Sequence, residues 1–163
     1  MLNTQTKPTT WNQSAALGVD QIWELIPGLN ADIKIIRASF EFLSTSYFDN
    51  DSPESKDGVT ELWGMLGSYA IAWGGTKSIS ISKTKLLETL VRKQRDYGHH
   101  NIAKYGRKGL IIRVHDKIAR LENLTEHQTE AANEPIEDTI LDIAGYSTIG
   151  IMWEANAFLL PLV

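Results

Sequence analysis

The sequence predicts an all-α fold, a bundle of about five to six helices. Apolar residues recur at three- and four-residue steps along most of the chain, and strand-like alternation is confined to TKSISIS at residues 76–82. Hydrophobic residues make up 42% of the 163 residues and charged residues 22%, as in ordinary globular proteins. A chain of this length buries one sizeable core. We therefore expect a single α-helical domain over residues 14–163, preceded by a mobile arm over residues 1–13.

The first three helices are predicted from their ends and from their apolar stripes. A helix over about residues 14–26 stops at Pro27 and Gly28, and a second over about 31–48 is capped by Asn30. A third ends at the glycine pair Gly74 and Gly75. The inward stripes are Ile33, Ile36, Phe40, Leu43 and Tyr47 in the second helix, and Leu62, Met65, Leu66, Tyr69, Ala70 and Trp73 in the third.

The remaining helices follow a connecting loop at residues 76–82. Ser82 caps a helix that closes near Tyr97 and Gly98, and another covers about residues 109–124. The last helix begins near Glu134 and extends to about Phe158. The inward residues are Leu86, Leu87, Leu90 and Val91 in the first of these helices, and Leu110, Val114, Ile118 and Leu121 in the second.

Charge and composition exclude several classes of function. The formal net charge of −4 gives no global support for binding nucleic acid or an anionic membrane. The absence of cysteine excludes disulfides, thiolate metal sites and a cysteine nucleophile. No apolar run reaches the roughly 18 residues expected of a membrane span, and the polar N-terminus lacks the features of a signal peptide. We expect a soluble, cytoplasmic protein.

An acidic stripe runs along the last predicted helix, in NEPIEDTILDIAGY at residues 133–146. Glu134, Asp138 and Asp142 follow one another at four-residue steps. The helix dipole favours acids in a first turn, which accounts for the first two without any function. Asp142 lies among apolar neighbours in the third turn, where a carboxylate needs a cation or a partner. A divalent cation shared with Asp138 satisfies it, and so does a salt bridge to Arg113 or Arg120.

A second charged cluster lies in RVHDKIARL at residues 113–121. Asp116 is three residues after Arg113 and four before Arg120, so the three side chains share one helix face. Surface ion pairs explain this face without a function. Alternatively, the face lines a cleft in which Asp116 binds a metal and the arginines bind phosphate oxygens.

The segment between these helices, residues 92–109, is strongly basic. It has one acid, Asp96, against six cations, which are Arg92, Lys93, Arg95, Lys104, Arg107 and Lys108. Its three glycines indicate a flexible loop that closes over an anionic ligand, with Tyr97 or Tyr105 stacked on a base. A solvated surface loop is the alternative. Since no zinc-protease, Walker or dinucleotide-binding motif is present, metal and phosphate chemistry is the class that these residues favour.

These segments resemble a known family. The stretch DYGHHNIAKYGRKGLIIRVHDKIARLENL and the later NEPIEDTILDIAGY are similar to the first type of nucleotide-modification-associated domain, found mainly in phages. The shared pattern is D-Y-G, then R-x-x-D-K-x-x-R-L, then D-T-x-x-D-x-x-x-Y, over about residues 93–146. That family is similar to the MazG-like all-α nucleoside triphosphate pyrophosphohydrolases, so the resemblance implies a MazG-like bundle that assembles as a homo-oligomer.

The resemblance also implies a reaction. A magnesium-dependent enzyme would hydrolyse a (deoxy)nucleoside triphosphate to monophosphate and pyrophosphate, serving nucleotide-pool control or DNA base modification in a phage-infected cytoplasm. Asp116, Asp138 and Asp142 would be catalytic, and the same three with Glu134 would bind magnesium. Residues implied to bind the substrate are Lys93, Tyr97, Asn101, Arg113, Lys117 and Arg120.

The chain departs from the MazG pattern at one position. Arg120 occupies the place one turn after Asp116 where a second acid is expected. Either Glu88 or Glu134 replaces that acid, or the metal is held by fewer protein ligands. This departure leaves two alternatives open, a nucleotide-binding protein without turnover and a helical phage interaction protein. For the oligomer contact we expect the apolar segment AFLLPLV at residues 157–163.

Overall fold

The computed structural model describes residues 6–48, 56–127 and 135–163, and over these ranges the chain is helical and contains no strand. The all-α prediction is therefore confirmed. Seven helices are present in the described part, of which α5 is a single turn: α1 Trp11–Leu25, α2 Ile33–Phe48, α3 Lys56–Thr76, α4 Lys83–Tyr97, α5 His100–Ala103, α6 Gly106–His127 and α7 Ile136–Glu154.

Helices α3 and α7 pack along each other at the centre, and α1, α2, α4 and α6 surround them. α7 is buried on nearly every side, from Thr139 to Glu154. Small residues allow the close approach of the two central helices. The fully buried ring of Trp63 lies against Gly150, where an added Cβ would sit 2.3 Å from the indole. The predicted inward residues of α2, α4 and α6 are buried or half-buried, as their stripes indicated.

Two predicted helix starts change in the structure. α1 begins at Trp11, after Thr10, whose side chain accepts a hydrogen bond from the Gln13 backbone N–H at 3.1 Å. Residues 11–13 of the expected arm therefore belong to the domain, and residues 1–5 lie outside the described part. α2 is capped by Asp32 instead of Asn30, because the Asp32 Oδ1 accepts from the Ile35 N–H at 2.9 Å.

Two predicted helix ends also change. α3 continues through Gly74 and Gly75 to Thr76. Glycine has a low helix propensity, but Gly74 is packed against Ile140, and we attribute the continuation of the helix to this packing. α7 ends at Glu154, short of Phe158, because the backbone of Asn156 turns to a positive φ of 54°. The predicted start at Glu134 lies outside the described residues.

The basic segment at residues 92–109 is not the flexible loop that was expected. Its first part completes α4, its middle forms α5, and its end begins α6. Gly98 and Gly106 take positive φ angles of 65° and 55°, which allow the two tight corners on either side of α5. Ile102 fixes α5 to the core. The cations of this segment are thus held on helices.

A buried polar network joins four helices at the end of α7. The Glu154 carboxylate is 4% exposed and binds Arg107 through Nε at 2.8 Å and through a second nitrogen at 2.9 Å. Tyr47 donates to the same carboxylate at 2.7 Å, and Trp63 donates to the Tyr47 hydroxyl at 3.0 Å. Burial, together with the neighbouring Glu154, raises the pKa of Tyr47.

The C-terminal segment packs on its own chain. Ala157 and Phe158 are buried, and the Trp11 backbone N–H donates to the Pro161 carbonyl at 2.8 Å. Asn12 and Val163 exchange two hydrogen bonds, at 3.1 Å and 2.9 Å. Part of the apolar segment at residues 157–163, which was expected to form the contact between copies of the chain, therefore packs within one chain. The homo-oligomer stays a prediction. None of the described helices is both long enough and apolar enough to cross a membrane.

Substitution of Gly150 tests the close approach of α3 and α7. Gly150→Ala forces a methyl group into the Trp63 ring and should lower the free energy of unfolding by about 1–3 kcal/mol or more. Gly75→Ala is the control, because a Cβ there meets nothing within 4 Å, and it should raise stability by up to about 1 kcal/mol. Urea denaturation compares them, and equal effects of the two substitutions would contradict this packing.

The buried network makes a second prediction. Glu154→Gln removes the ion pair with Arg107 and turns an amide N–H toward one of the two donors that the buried carboxylate accepts from, so it should destabilise the protein by about 2 kcal/mol. Glu41→Gln breaks an exposed pair with Arg37 and should change stability by less than about 1 kcal/mol. Thermal denaturation of both variants checks this, and a Glu154 variant as stable as the Glu41 variant would refute the structural role of the network.

Candidate functional site

A cavity of about 190 Å³ lies between α1, α4, α5, α6 and α7. Apolar side chains, polar side chains and three aromatic rings line this cavity. The apolar residues are Leu86, Leu90, Ile102, Leu141 and Ile149, the aromatic residues are Trp11, Tyr97 and Tyr146, and the polar residues are Thr89, Lys93, Gln94, Asn101, Arg113 and Asp142. Gly145 completes the wall. Mixed linings of this kind are typical of small-molecule sites.

Asp142 is bound by two lysines from neighbouring helices. Its side chain is only 9% exposed, and its two oxygens contact different cations: Oδ1 lies 2.6 Å from the Lys93 Nζ of α4, and Oδ2 lies 2.9 Å from the Lys117 Nζ of α6. The sequence predicted a salt bridge as one alternative for Asp142, but with Arg113 or Arg120 as the partner. Two ammonium groups on one carboxylate leave an excess of positive charge beside the cavity.

A second cleft of about 190 Å³ adjoins the cavity and shares four residues with it. Lys85, Arg92 and Asp138 line this cleft alone, and the shared residues are Thr89, Lys93, Leu141 and Asp142. Three cationic side chains therefore face two carboxylates. The cleft and the cavity share the Lys93–Asp142 ion pair as part of their walls.

The predicted cluster of Arg113, Asp116 and Arg120 is not a single group. Arg113 lines the cavity and donates to the Asn101 backbone carbonyl at 3.4 Å. Arg120 donates to the Thr139 hydroxyl of α7. The Asp116 side chain is 77% exposed and has His115 beside it, with Asp116 Oδ1 and His115 Nδ1 3.8 Å apart. Only Arg113 of these three borders the cavity.

The described residues do not fit a magnesium site built from three carboxylates. Asp138 and Asp142 border one cleft, but Asp116 faces solvent elsewhere, and no three His, Cys, Asp or Glu side chains within the described ranges form a group able to hold a metal. Asp142 already has two ammonium partners. Glu134, the fourth predicted ligand, lies outside the described residues, so magnesium binding stays a prediction.

The structure brings together four of the six residues predicted to bind substrate. Lys93, Tyr97, Asn101 and Arg113 all line the cavity. Lys117 does not line the cavity but forms an ion pair with Asp142, which does. Arg120 donates a hydrogen bond to the Thr139 hydroxyl.

The lining residues that the sequence did not predict include Trp11, Gln94 and Tyr146. Trp11 was assigned to the arm, although Thr9 and Thr10 directly before it are a capping signal. Tyr146 closes the D-T-x-x-D-x-x-x-Y pattern, which was the signal available for it. Gln94 is buried on α4, and its side-chain nitrogen lies 2.7 Å from the His99 Nδ1.

Two buried polar atoms of the cavity wall have no hydrogen-bond partner within the described residues. They are the Trp11 Nε1, which only donates, and the Asn101 Oδ1, which accepts. The Trp11 side chain is held by the rest of the fold, because the residue is 1% exposed and its ring meets Phe158 edge-on at 6.4 Å. Unpaired buried groups of this kind are rare in native proteins.

Protein-family models, curated proteins and solved structures were compared with the chain, and none of them matches it.

Proposed function

We propose that the protein binds a nucleotide, with its nucleoside in the cavity and its phosphates at the adjoining basic cleft. The observation that carries this proposal is the shared wall of the two spaces: Lys93 and Asp142 border both. A ligand that fits needs an uncharged ring at one end and an anionic group at the other. A nucleoside phosphate has both.

The charges of the cleft support a phosphate ligand. Lys85, Arg92 and Lys93 surround it, and Arg113 adds a further cation at the cavity. Asp142 holds the amino groups of Lys93 and Lys117 in place, so their position is fixed before a ligand arrives. Preorganised cations of this kind attract phosphate oxygens without the entropy loss of ordering the side chains on binding.

The cavity supports a nucleoside at the other end. Leucine and isoleucine side chains form the apolar part of the cavity wall, which suits a flat heterocycle. The rings of Trp11 and Tyr146 also border the cavity. Tyr97 is 66% exposed at the rim, where its ring is free to cover a ligand.

Lys93 tests the proposal. Lys93→Ala should weaken binding of a deoxynucleoside triphosphate about tenfold. It should affect the corresponding nucleoside much less, because the charge of the lysine is proposed to act on the phosphates. Lys83→Ala, on the same helix but paired with Asp20 and outside both spaces, is the matched control and should change neither affinity. Isothermal titration at two salt concentrations measures both ligands. Equal losses for triphosphate and nucleoside would contradict a phosphate site at Lys93.

Hydrolysis of the bound nucleotide to a monophosphate and pyrophosphate is the second candidate function. It is favoured by the position of Asp138 and Asp142 in the same cleft, at the end of the motif that resembles the phage nucleotide-modification-associated domain. Such an enzyme would remove a host nucleotide or supply a modified one.

A product assay separates the two functions. Incubation with magnesium and each common deoxynucleoside triphosphate should release pyrophosphate in the wild type, and Asp142→Asn should abolish the release. Asp20→Asn, an exposed aspartate paired with Lys83, is the control and should keep the activity. Tight binding of a triphosphate without pyrophosphate release would reject the enzyme and leave the binding function.

A further inference from the structure

The Asp142 carboxylate is neutralised by two lysines of its own chain. Its Oδ1 lies 2.6 Å from the Lys93 Nζ, its Oδ2 lies 2.9 Å from the Lys117 Nζ, and its side chain is only 9% exposed. Magnesium takes carboxylate oxygens at about 2.1 Å, so an ion on either oxygen would lie within about 5 Å of an ammonium group. Like charges at that distance repel strongly in a partly buried cleft. The surroundings of Asp142 therefore favour lysine over a metal ion.

The other predicted metal ligands of the described chain do not replace Asp142. Asp138 is the second acid of the cleft, and Lys85 and Arg92 line the cleft with it. Asp116 lines neither the cleft nor the cavity, and its side chain is 77% exposed. Magnesium in nucleotide sites is held by one or two carboxylates together with the phosphates. Among the described carboxylates, such an ion would depend on Asp138 alone.

The charge of the cleft is positive even though it contains two acids. Lys85, Arg92 and Lys93 line the cleft. Lys117 adds a fourth positive charge at Asp142, so the formal balance of these six side chains is +2 in a chain whose net charge is −4. The chain also has Arg120 at the place where the metal-binding pattern has an acid. A free polyphosphate complements this excess better than its magnesium complex, which has two fewer negative charges.

We propose that the cleft binds the phosphates of its ligand as a free anion, without a divalent cation. Lys85, Arg92 and Lys93 bind the phosphate oxygens directly. Lys117 keeps the charge of Asp142 neutralised, so that the carboxylate does not repel the phosphates. Lysine and arginine thus supply the positive charge that the sequence pattern assigned to magnesium.

This inference rests on the proposed function for its class of ligand, a nucleotide, and it names the form of the nucleotide that binds. The proposed function requires only that the phosphates are recognised at Lys93, with or without a metal. Hydrolysis, the second candidate function, requires magnesium. A comparison of binding with and without magnesium therefore tests the form of the ligand separately from binding itself.

The test is isothermal titration of the wild-type protein with each of the four common deoxynucleoside triphosphates. Each titration is done with excess EDTA and with magnesium in excess over the nucleotide, at equal ionic strength. We expect binding to be about threefold to tenfold tighter in EDTA, because magnesium removes two of the charges that the cleft attracts. Equal affinity also supports the proposal, and weaker binding in EDTA overturns it. This comparison needs no variant, so failure of a variant to fold does not affect it.

Lys117→Ala separates the two possible uses of Asp142. In the proposal, this variant leaves Asp142 with one ammonium partner instead of two, so triphosphate binding in EDTA should weaken about threefold to tenfold. If Asp142 bound a metal instead, loss of a competing lysine would strengthen binding in magnesium, and that result overturns the proposal. Lys108→Ala is the matched control: it removes the same charge from an exposed position of α6 that lines neither space, and it should change neither affinity.

The outcomes separate this inference from the proposed function. Binding in EDTA that depends on Lys93 supports both. Binding that occurs in magnesium alone keeps the proposed function and overturns the metal-free ligand. Pyrophosphate release that requires both magnesium and Asp142 also overturns it. If no triphosphate binds in either solution at millimolar concentration, the proposed function itself fails, and this inference fails with it.

Discussion

Neutralisation of two carboxylates on the central helix is the constraint on which the rest of the structure depends. α7 is buried on nearly every side, yet it carries Asp142 and Glu154. Twelve residues of helix separate them by about 18 Å. Lys93 and Lys117 bind the first carboxylate, and Arg107 with Tyr47 binds the second. Since an unpaired buried carboxylate costs several kcal/mol, these contacts fix the positions of α4, α6 and α2 against α7.

The ion pairs that neutralise these two carboxylates belong both to the core and to the candidate site. α6 supplies a cation to both carboxylates, Arg107 from its first turn and Lys117 from its fourth. Any rotation of α6 about its axis would break both ion pairs together. The cations beside the cavity are therefore held by the network that also stabilises the core, and a phosphate ligand would meet a surface that is already arranged.

The predicted fold class and the inward faces of the helices follow from apolar periodicity, which is a local property of the chain. Partners of the charged residues are not local. Lysine and arginine side chains reach several ångströms, so a position such as Asp142 has several candidate partners among the cations of residues 92–120. Only the packing of α4 and α6 selects Lys93 and Lys117. Trp11 was missed for a similar reason. It lies ninety residues before Asn101, another residue of the cavity wall, and no motif connects it to the basic segment.

Local signals were misleading where two of them competed. The cap of α2 had two suitable residues two positions apart, and the side chain of Asp32 had the better geometry. The basic segment has the glycines and charges of a mobile loop, but the buried Ile102 outweighs them and makes α5 a fixed part of the cavity wall. A single apolar residue in a polar segment was the signal for order.

The hydrogen bonds between Asn12 and Val163 connect the segment after α7 to the first turn of α1, next to Trp11. A segment outside the helices that is held by few hydrogen bonds opens more easily than the helical core. Opening of residues 159–163 would remove the Pro161 carbonyl from the Trp11 backbone N–H, at one side of the cavity. A molecule that binds only when this segment is in place would therefore be measured as protection of the Trp11 and Val163 amides from hydrogen exchange.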